Sequence, residues 1–205
     1  MRSKRNDTFW AIEHRNASWY TAVHEAGHAV VGLVQGFVIS MVSIDPDVCL
    51  GEPSELARNA WSTYSRRPDI AYVSGAFQAD VNDVIRPLVE SGELRTREDR
   101  ELVRRYCAMF VAGGLTEQAY GGKITQANVA LDKDQIASVL LAVVPLEQRR
   151  TAIVRRAISE ANAVIQRHPR AIEAIADNLV ERGTLVGPEV VIAAGLDASI
   201  ASRSQ

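Results

Sequence analysis

Two histidines four residues apart, with a glutamate directly after the first, form the motif His24-Glu25-Ala26-Gly27-His28. Side chains at this spacing lie on one face of an α-helix, so both imidazoles can bind the same divalent cation. Glu25 can then reach a water molecule on that cation without binding the cation itself. Zinc lowers the pKa of such a water towards neutrality, and the carboxylate takes its proton as hydroxide attacks a carbonyl. The motif therefore predicts a catalytic zinc site.

A catalytic zinc usually has three protein ligands, so one more is required. The other two histidines, His14 and His168, lie in segments that do not suggest a metal site. A third histidine shortly after the pair, as in metzincins, is absent. The third ligand is therefore expected to be a carboxylate far downstream. The alternative is that both motif histidines are core residues that bind no metal.

The elements that must position this motif are predicted to be mainly α-helical, with one strand or a small sheet. Apolar residues recur every three or four positions from Ala17 to Val34, which predicts a helix that ends near Gly36. Gly27 costs this helix about 1 kcal/mol relative to alanine, which is understandable if another backbone approaches closely there. A strand is predicted at 37–44, closed by a turn, and an exposed loop at 46–68. Further helices are predicted at 68–90, 95–120, 132–144, 146–167, 169–182 and 188–194.

Composition excludes several classes of protein. The chain has 205 residues, of which 47% are hydrophobic and 23% charged, and its formal net charge is −2. This is typical of a globular protein and lacks the basic excess of nucleic-acid-binding proteins. Cys49 and Cys107 form no disulfide framework, and no apolar stretch is long enough to span a bilayer, so we expect a cytoplasmic protein. Arginines cluster near one helix and form either a solvated face or a partner-binding patch; they are Arg149, Arg150, Arg155, Arg156, Arg167 and Arg170.

The segment around the paired histidines resembles the metal-binding helix of the FtsH-type zinc metallopeptidases, over Thr21-Ala22-Val23-His24-Glu25-Ala26-Gly27-His28-Ala29-Val30-Val31-Gly32. The resemblance continues downstream at shorter motifs of that family: Val42-Ser43-Ile44-Asp45-Pro46, Leu50-Gly51, Ala112-Gly113, Glu117 and Tyr120-Gly121. It implies a peptidase domain at 17–205. The mostly polar residues 1–16 before it are expected to form an N-terminal arm or a short capping helix. The resemblance also implies an edge strand near Val42 that would hold an extended substrate by main-chain pairing.

The resemblance also implies a ligand set. The third zinc ligand of the family is an aspartate near the start of the helix that follows Gly121, and Asp132 occupies this place. Asp134, two residues later, is the alternative. The implied roles are therefore zinc binding by His24, His28 and Asp132, with Glu25 as general base. Because imidazoles bind metal only when unprotonated, activity is expected to fall below about pH 6.

FtsH-type enzymes also carry an ATPase module and transmembrane helices, and no Gly-x-x-x-x-Gly-Lys-Ser/Thr phosphate loop occurs in this sequence. We therefore expect an ATP-independent metallopeptidase, or one served by an ATPase partner in trans. Its substrates would be peptides or unfolded protein segments. The alternative function is a non-catalytic helical interaction module that retains a structural or vestigial metal site.

Overall fold

The computed structural model describes residues 5–45, 76–79, 81–124 and 129–196. These residues form a mainly helical fold with one small sheet, as the sequence predicted. The helices are α1 (Arg5–Val34), α2 (Val81–Ser91), α3 (Arg97–Ala119), α4 (Ala130–Val143), α5 (Glu147–Arg167), α6 (Pro169–Arg182) and α7 (Gly187–Ala194). The strands are β1 (Ile39–Ser43), β2 (Ala76–Ala79) and β3 (Thr184–Val186). No helix within the described ranges is both long enough and apolar enough to cross a membrane.

The core is built around α1 and α3, which pack against each other, with α6 on α1 and α5 on α3. Val23, Val30 and Met109 are fully buried at this contact. Gly27 explains how closely the two helices approach: a methyl group there would lie 2.3 Å from Thr116 Oγ1 and 3.0 Å from the carbonyl oxygen of Ala112. Only glycine leaves room for the neighbouring backbone, so the reason inferred from sequence for Gly27 is confirmed.

The sheet has the strand order β2-β1-β3, and both pairs are antiparallel. Val42 at its centre lies opposite Phe77 on one side and Leu185 on the other. The expectation that the strand near Val42 is an edge strand is therefore wrong. Because β1 pairs on both sides, its main chain is not free to bind an extended substrate. Leu50-Gly51, part of the resemblance, and the whole predicted loop at 46–68 lie outside the described residues.

Three other elements differ between the sequence prediction and the structure. α1 begins at Arg5 and runs without a break through residue 17, so the segment 5–16 is helical and continuous with the helix predicted from Ala17. Residues 76–79, predicted as helix, form β2 because pairing with β1 overrides their local preference. β3 was not predicted, since three residues are too few to show a strand pattern.

Most helix ends agree with the sequence. α3 begins with a complete capping box, in which the Asp99 amide donates to Thr96 Oγ1 at 3.0 Å and Asp99 Oδ2 accepts from the Thr96 amide at 2.8 Å. This bonding satisfies amides that have no partner within the helix. The capping box fixes the start of α3. The later turns of this helix lie in the core, beside the histidine motif.

Candidate metal centre

Three side chains from two helices converge beside α3. His24 and His28 lie one turn apart on α1, and Asp132 lies in the first turn of α4. His24 Nε2 is 3.2 Å from Asp132 Oδ2, and His28 Nε2 is 3.5 Å from Asp132 Oδ1. One ligand atom from each residue lies within 4.8 Å of the others. Two tetrahedral zinc ligands with bonds of about 2.0–2.1 Å are about 3.3 Å apart, so these separations suit one ion.

The other ring nitrogen of each histidine has a partner. His28 Nδ1 lies 2.8 Å from the carbonyl oxygen of Met109, which can only accept, so Nδ1 carries the proton and Nε2 presents its lone pair in the neutral ring. His24 Nδ1 lies 3.4 Å from Glu117 Oε2, in a long hydrogen bond of the same sense. Both partners belong to α3. This arrangement orients each imidazole as metal ligands are oriented in zinc proteins.

Two further observations show that these residues fit a metal ion. Asp132 Oδ2 is buried and accepts no hydrogen bond of good geometry from the described residues, although His24 Nε2 lies 3.2 Å away, so this oxygen can pair with a cation held between them. Gly113 of α3 faces the two imidazoles, and a methyl group there would lie 2.4 Å from both Nε2 atoms. Glycine thus keeps open the space towards which both ring nitrogens point. A divalent cation is the ligand that this donor set can hold.

The cluster is buried, and its carboxylates favour the protonated, positively charged form of the two histidines. His24, Glu25 and His28 are 8%, 6% and 3% exposed. Burial by itself lowers the pKa of His24, but the nearby carboxylates, chiefly that of Asp132, raise the pKa to about 10. Burial is also the largest single effect on His28 and lowers its pKa, but the charge and hydrogen bond of Asp132, together with the charge of Glu25, raise the pKa overall. A site that draws protons onto two imidazoles will also attract a divalent cation in their place.

The two acids of the cluster, Glu25 and Asp132, differ in how readily they bind a proton. Burial raises the pKa of Glu25, and the charges of His24 and His28 only partly offset this. Burial acts in the same direction on Asp132, but the two imidazoles hold the pKa of that carboxyl well below its usual range. Asp132 is therefore ionised at neutral pH, as a ligand must be. Glu25 is a carboxylate more ready than usual to accept a proton, which is the property of a general base.

Of the two aspartates that the sequence left open, the structure places only one beside the histidines. Asp132 joins the two histidines, whereas Asp134 is exposed. His168 lies at the junction of α5 and α6, outside the cluster, and the side chain of His14 lies outside the described residues. Sequence reasoning did not assign the contacts of Glu117, Met109 and Gly113 with the imidazoles. No local pattern reveals them, because they depend on how α3 crosses α1.

A small apolar groove adjoins the cluster. It has a volume of about 130 Å³, and Asp132 is its link to the candidate metal centre. Its remaining walls are mostly aliphatic and aromatic, and include Phe110, Leu115, Val129, Ile136 and Ile158. A groove of this size and character suits one apolar side chain next to the metal ligands.

Comparison with known proteins adds no assignment. No family model matches the chain, and no curated protein matches it. The chemistry of the centre is therefore inferred from its residues and geometry.

The contact of Glu117 with His24 predicts a measurable effect on metal affinity. Glu117→Gln is expected to lower zinc affinity by about 10-fold to 100-fold, because a neutral amide orients and polarises His24 less strongly. Competition with a chromophoric chelator measures this affinity. Gln118→Ala, at an exposed position of the same helix, should leave it unchanged. Equal affinities in both variants would show that Glu117 only fills space.

Proposed function

We propose that this protein is a zinc-dependent metallopeptidase that hydrolyses peptide bonds with an activated water molecule. The observation that carries the proposal is the convergence of His24, His28 and Asp132, with Glu25 buried beside them. Two imidazoles and one carboxylate are the ligand set of hydrolytic zinc sites, which leave one position for water or substrate. The resemblance of residues 21–32 to the FtsH-type metal helix supports the same assignment.

Each residue of the centre has a separate role in this proposal. His24, His28 and Asp132 would hold the zinc ion, which when bound lowers the pKa of water and polarises a substrate carbonyl. Glu25 takes the proton from the attacking water and later delivers it to the leaving amine. Its raised pKa makes both transfers feasible near neutral pH, since a base must accept and then release the same proton. Glu117 and Met109 hold the imidazoles in the orientation that this requires.

The surroundings of the centre favour peptides or unfolded segments as substrates. The three motif side chains are less than 10% exposed, so the loop of a compact folded protein cannot easily reach them. The apolar groove beside Asp132 would accept one side chain of an extended chain and orient the scissile bond. We therefore expect cleavage next to apolar residues.

Metal analysis combined with a cleavage assay tests the proposed function. The purified protein should contain about one zinc per chain and should cleave unfolded casein. A chelator should abolish cleavage, and added zinc should restore it. Zinc binding without cleavage of unfolded casein or of mixed peptides would contradict the proposal and favour a non-catalytic interaction module. Cleavage that survives complete removal of metal would contradict the role of the centre.

The raised histidine pKa values predict that zinc displaces protons. Below its pKa an imidazole carries a proton that must leave before the metal binds, and the pKa of both rings is raised, that of His24 to about 10. Zinc binding at pH 7 is therefore expected to release roughly one to two protons, and affinity should still rise between pH 7 and pH 9. The pH range over which zinc affinity changes thus lies above the pH near 6 that is expected for ordinary imidazoles.

Calorimetry in buffers of different ionisation enthalpy counts the protons released. A titration without proton release at pH 7, with affinity level above pH 6.5, would show that both rings are already neutral in the metal-free protein. The His24 imidazole would then be uncharged in its contact with Asp132.

A further inference from the structure

A second cavity lies at one end of the helical bundle, outside the metal centre. It is a cleft of about 750 Å³ between the segment 92–104, which includes the first two turns of α3, and the segment 143–156, which includes the start of α5. None of the residues around the histidine motif contributes to it. With a rise of about 1.5 Å per residue, α3 separates Arg100 from Glu117 by about 25 Å. The cleft is therefore a separate feature of the surface.

The charge of this cleft differs from that of the whole protein. Six arginines and two glutamates line it, a formal excess of four positive charges in a chain whose formal net charge is −2. The arginines are Arg95, Arg97, Arg100, Arg104, Arg149 and Arg156. Like charges brought together repel each other, and burial together with the charges of Arg156 and Arg105 lowers the pKa of Arg104. Such a concentration of guanidinium groups is stabilised when an anion binds between them.

Half of these arginines have structural partners. Arg104 pairs with Glu101 and Glu160, and Arg156 pairs with Glu160 at 3.3 Å. Arg95 pairs with Glu93 at 2.8 Å. Of these pairs, that of Arg104 with Glu160 links α3 to α5.

The remaining three arginines make no such contact. Arg97, Arg100 and Arg149 are exposed and form no ion pair with any described carboxylate. Arg97 and Arg100 belong to α3 and Arg149 to α5, so guanidinium groups from both walls line one cavity. By contrast, Arg150 donates to the carbonyl oxygens of Val144 and Pro145, and Arg155 does not line the cleft. The arginine cluster noted in the sequence thus divides into structural and unpaired members.

We propose that this cleft binds a small organic anion that carries at least two phosphate groups. Guanidinium groups bind phosphate through paired N–H donors, and a diphosphate concentrates several negative charges in a small volume. Carboxylates of an extended peptide alternate in direction and lie about 7 Å apart on one side, which suits a single cavity less well. Both walls also include apolar residues, which are Leu94, Val143, Val144 and Ile153, and these would contact the organic part of the ligand.

Calorimetric titration of the full chain with ADP, pyrophosphate and tetraglutamate tests this site. Each titration is made before and after chelator treatment, because phosphates also bind zinc. The variant Arg100→Ala/Arg149→Ala removes one unpaired arginine from each wall. The control Arg155→Ala/Arg167→Ala removes the same charge from exposed positions outside the cleft. Circular dichroism and zinc content show whether each variant keeps its fold.

ADP is expected to bind with a ratio near one and more tightly than pyrophosphate, with or without metal. The cleft variant should lose at least tenfold in affinity, and the control variant should change less than twofold. Equal loss in both variants would show a general charge effect and overturn the proposal. Binding that disappears on chelation would assign the phosphates to the metal centre, and tighter binding of tetraglutamate would identify a peptide site; either result overturns it. Because none of these readouts uses peptide cleavage, the proposal stands or falls separately from the peptidase assignment.

Discussion

Glu25→Gln is expected to reduce peptide hydrolysis by about 100-fold to 10,000-fold while the metal stays bound. The amide has nearly the same shape as the carboxylate but cannot accept a proton from the attacking water. Zinc content should remain near one per chain, since Glu25 belongs to neither the ligand set nor its hydrogen-bonded partners. Measurement of kcat/KM on an unfolded substrate, together with elemental analysis of the same sample, separates loss of chemistry from loss of metal.

The same variant should be at least as stable as the natural protein. Burial raises the pKa of Glu25, so the folded state binds its proton more tightly than the unfolded state does. The ionised side chain therefore reduces the free energy of unfolding once the pH exceeds the ordinary pKa of a glutamate. Replacing it by a neutral amide removes this cost at pH 7. Replacing a residue that serves stability alone would lower the free energy of unfolding. A catalytic group, by contrast, commonly reduces stability.

Glu181→Gln provides the matched control for this experiment. It makes the same change at an exposed position of α6 and should alter neither hydrolysis nor zinc content. If Glu25→Gln retained more than a tenth of the natural kcat/KM, Glu25 would not be the general base. If it lost zinc, the residue would contribute to metal binding, and the roles assigned within the motif would need to change.

The sequence revealed those parts of the centre that depend on a single helix. The four-residue spacing of His24 and His28 fixes their common face, whatever packs against it. Gly27 lowers the helix propensity of α1, which indicated that a neighbouring segment packs closely against it. Thr116 is that close neighbour. These features follow from residues within one or two helical turns.

Features that depend on contacts between distant segments could not be predicted in the same way. The central position of β1 results from pairing with two other segments, of which 76–79 had a helical pattern and 184–186 had no pattern at all. The closeness of Gly113 to both imidazoles depends on how α3 crosses α1. The arginine cleft draws on segments about 50 positions apart, so only its α5 side was visible as a cluster.

The choice between the two candidate aspartates depends on position around a helix. Residues two positions apart differ by about 200° around the helix axis, so Asp132 and Asp134 cannot both face the histidines. Ile136, Val139 and Leu140 are buried on α4, and Asp132 is one turn before Ile136 on the same face. Asp134 lies on the exposed side. The sequence contained this pattern, but which face of α4 is turned towards His24 and His28 was known only from the fold.

Asp132→Asn is therefore expected to lower zinc affinity by more than the factor of about 10–100 that is typical of a residue hydrogen-bonded to a metal ligand. Asp134→Asn should leave the affinity unchanged. The amide replaces a charged ligand by a neutral one of the same shape. Because the Asp132 carboxylate raises the pKa of both imidazoles, the substitution should also let their pKa fall. Chelator competition measures the affinity, and an NMR titration of the metal-free protein follows the histidines. Loss of zinc in both variants, or in neither, would contradict the ligand set and with it the proposed chemistry.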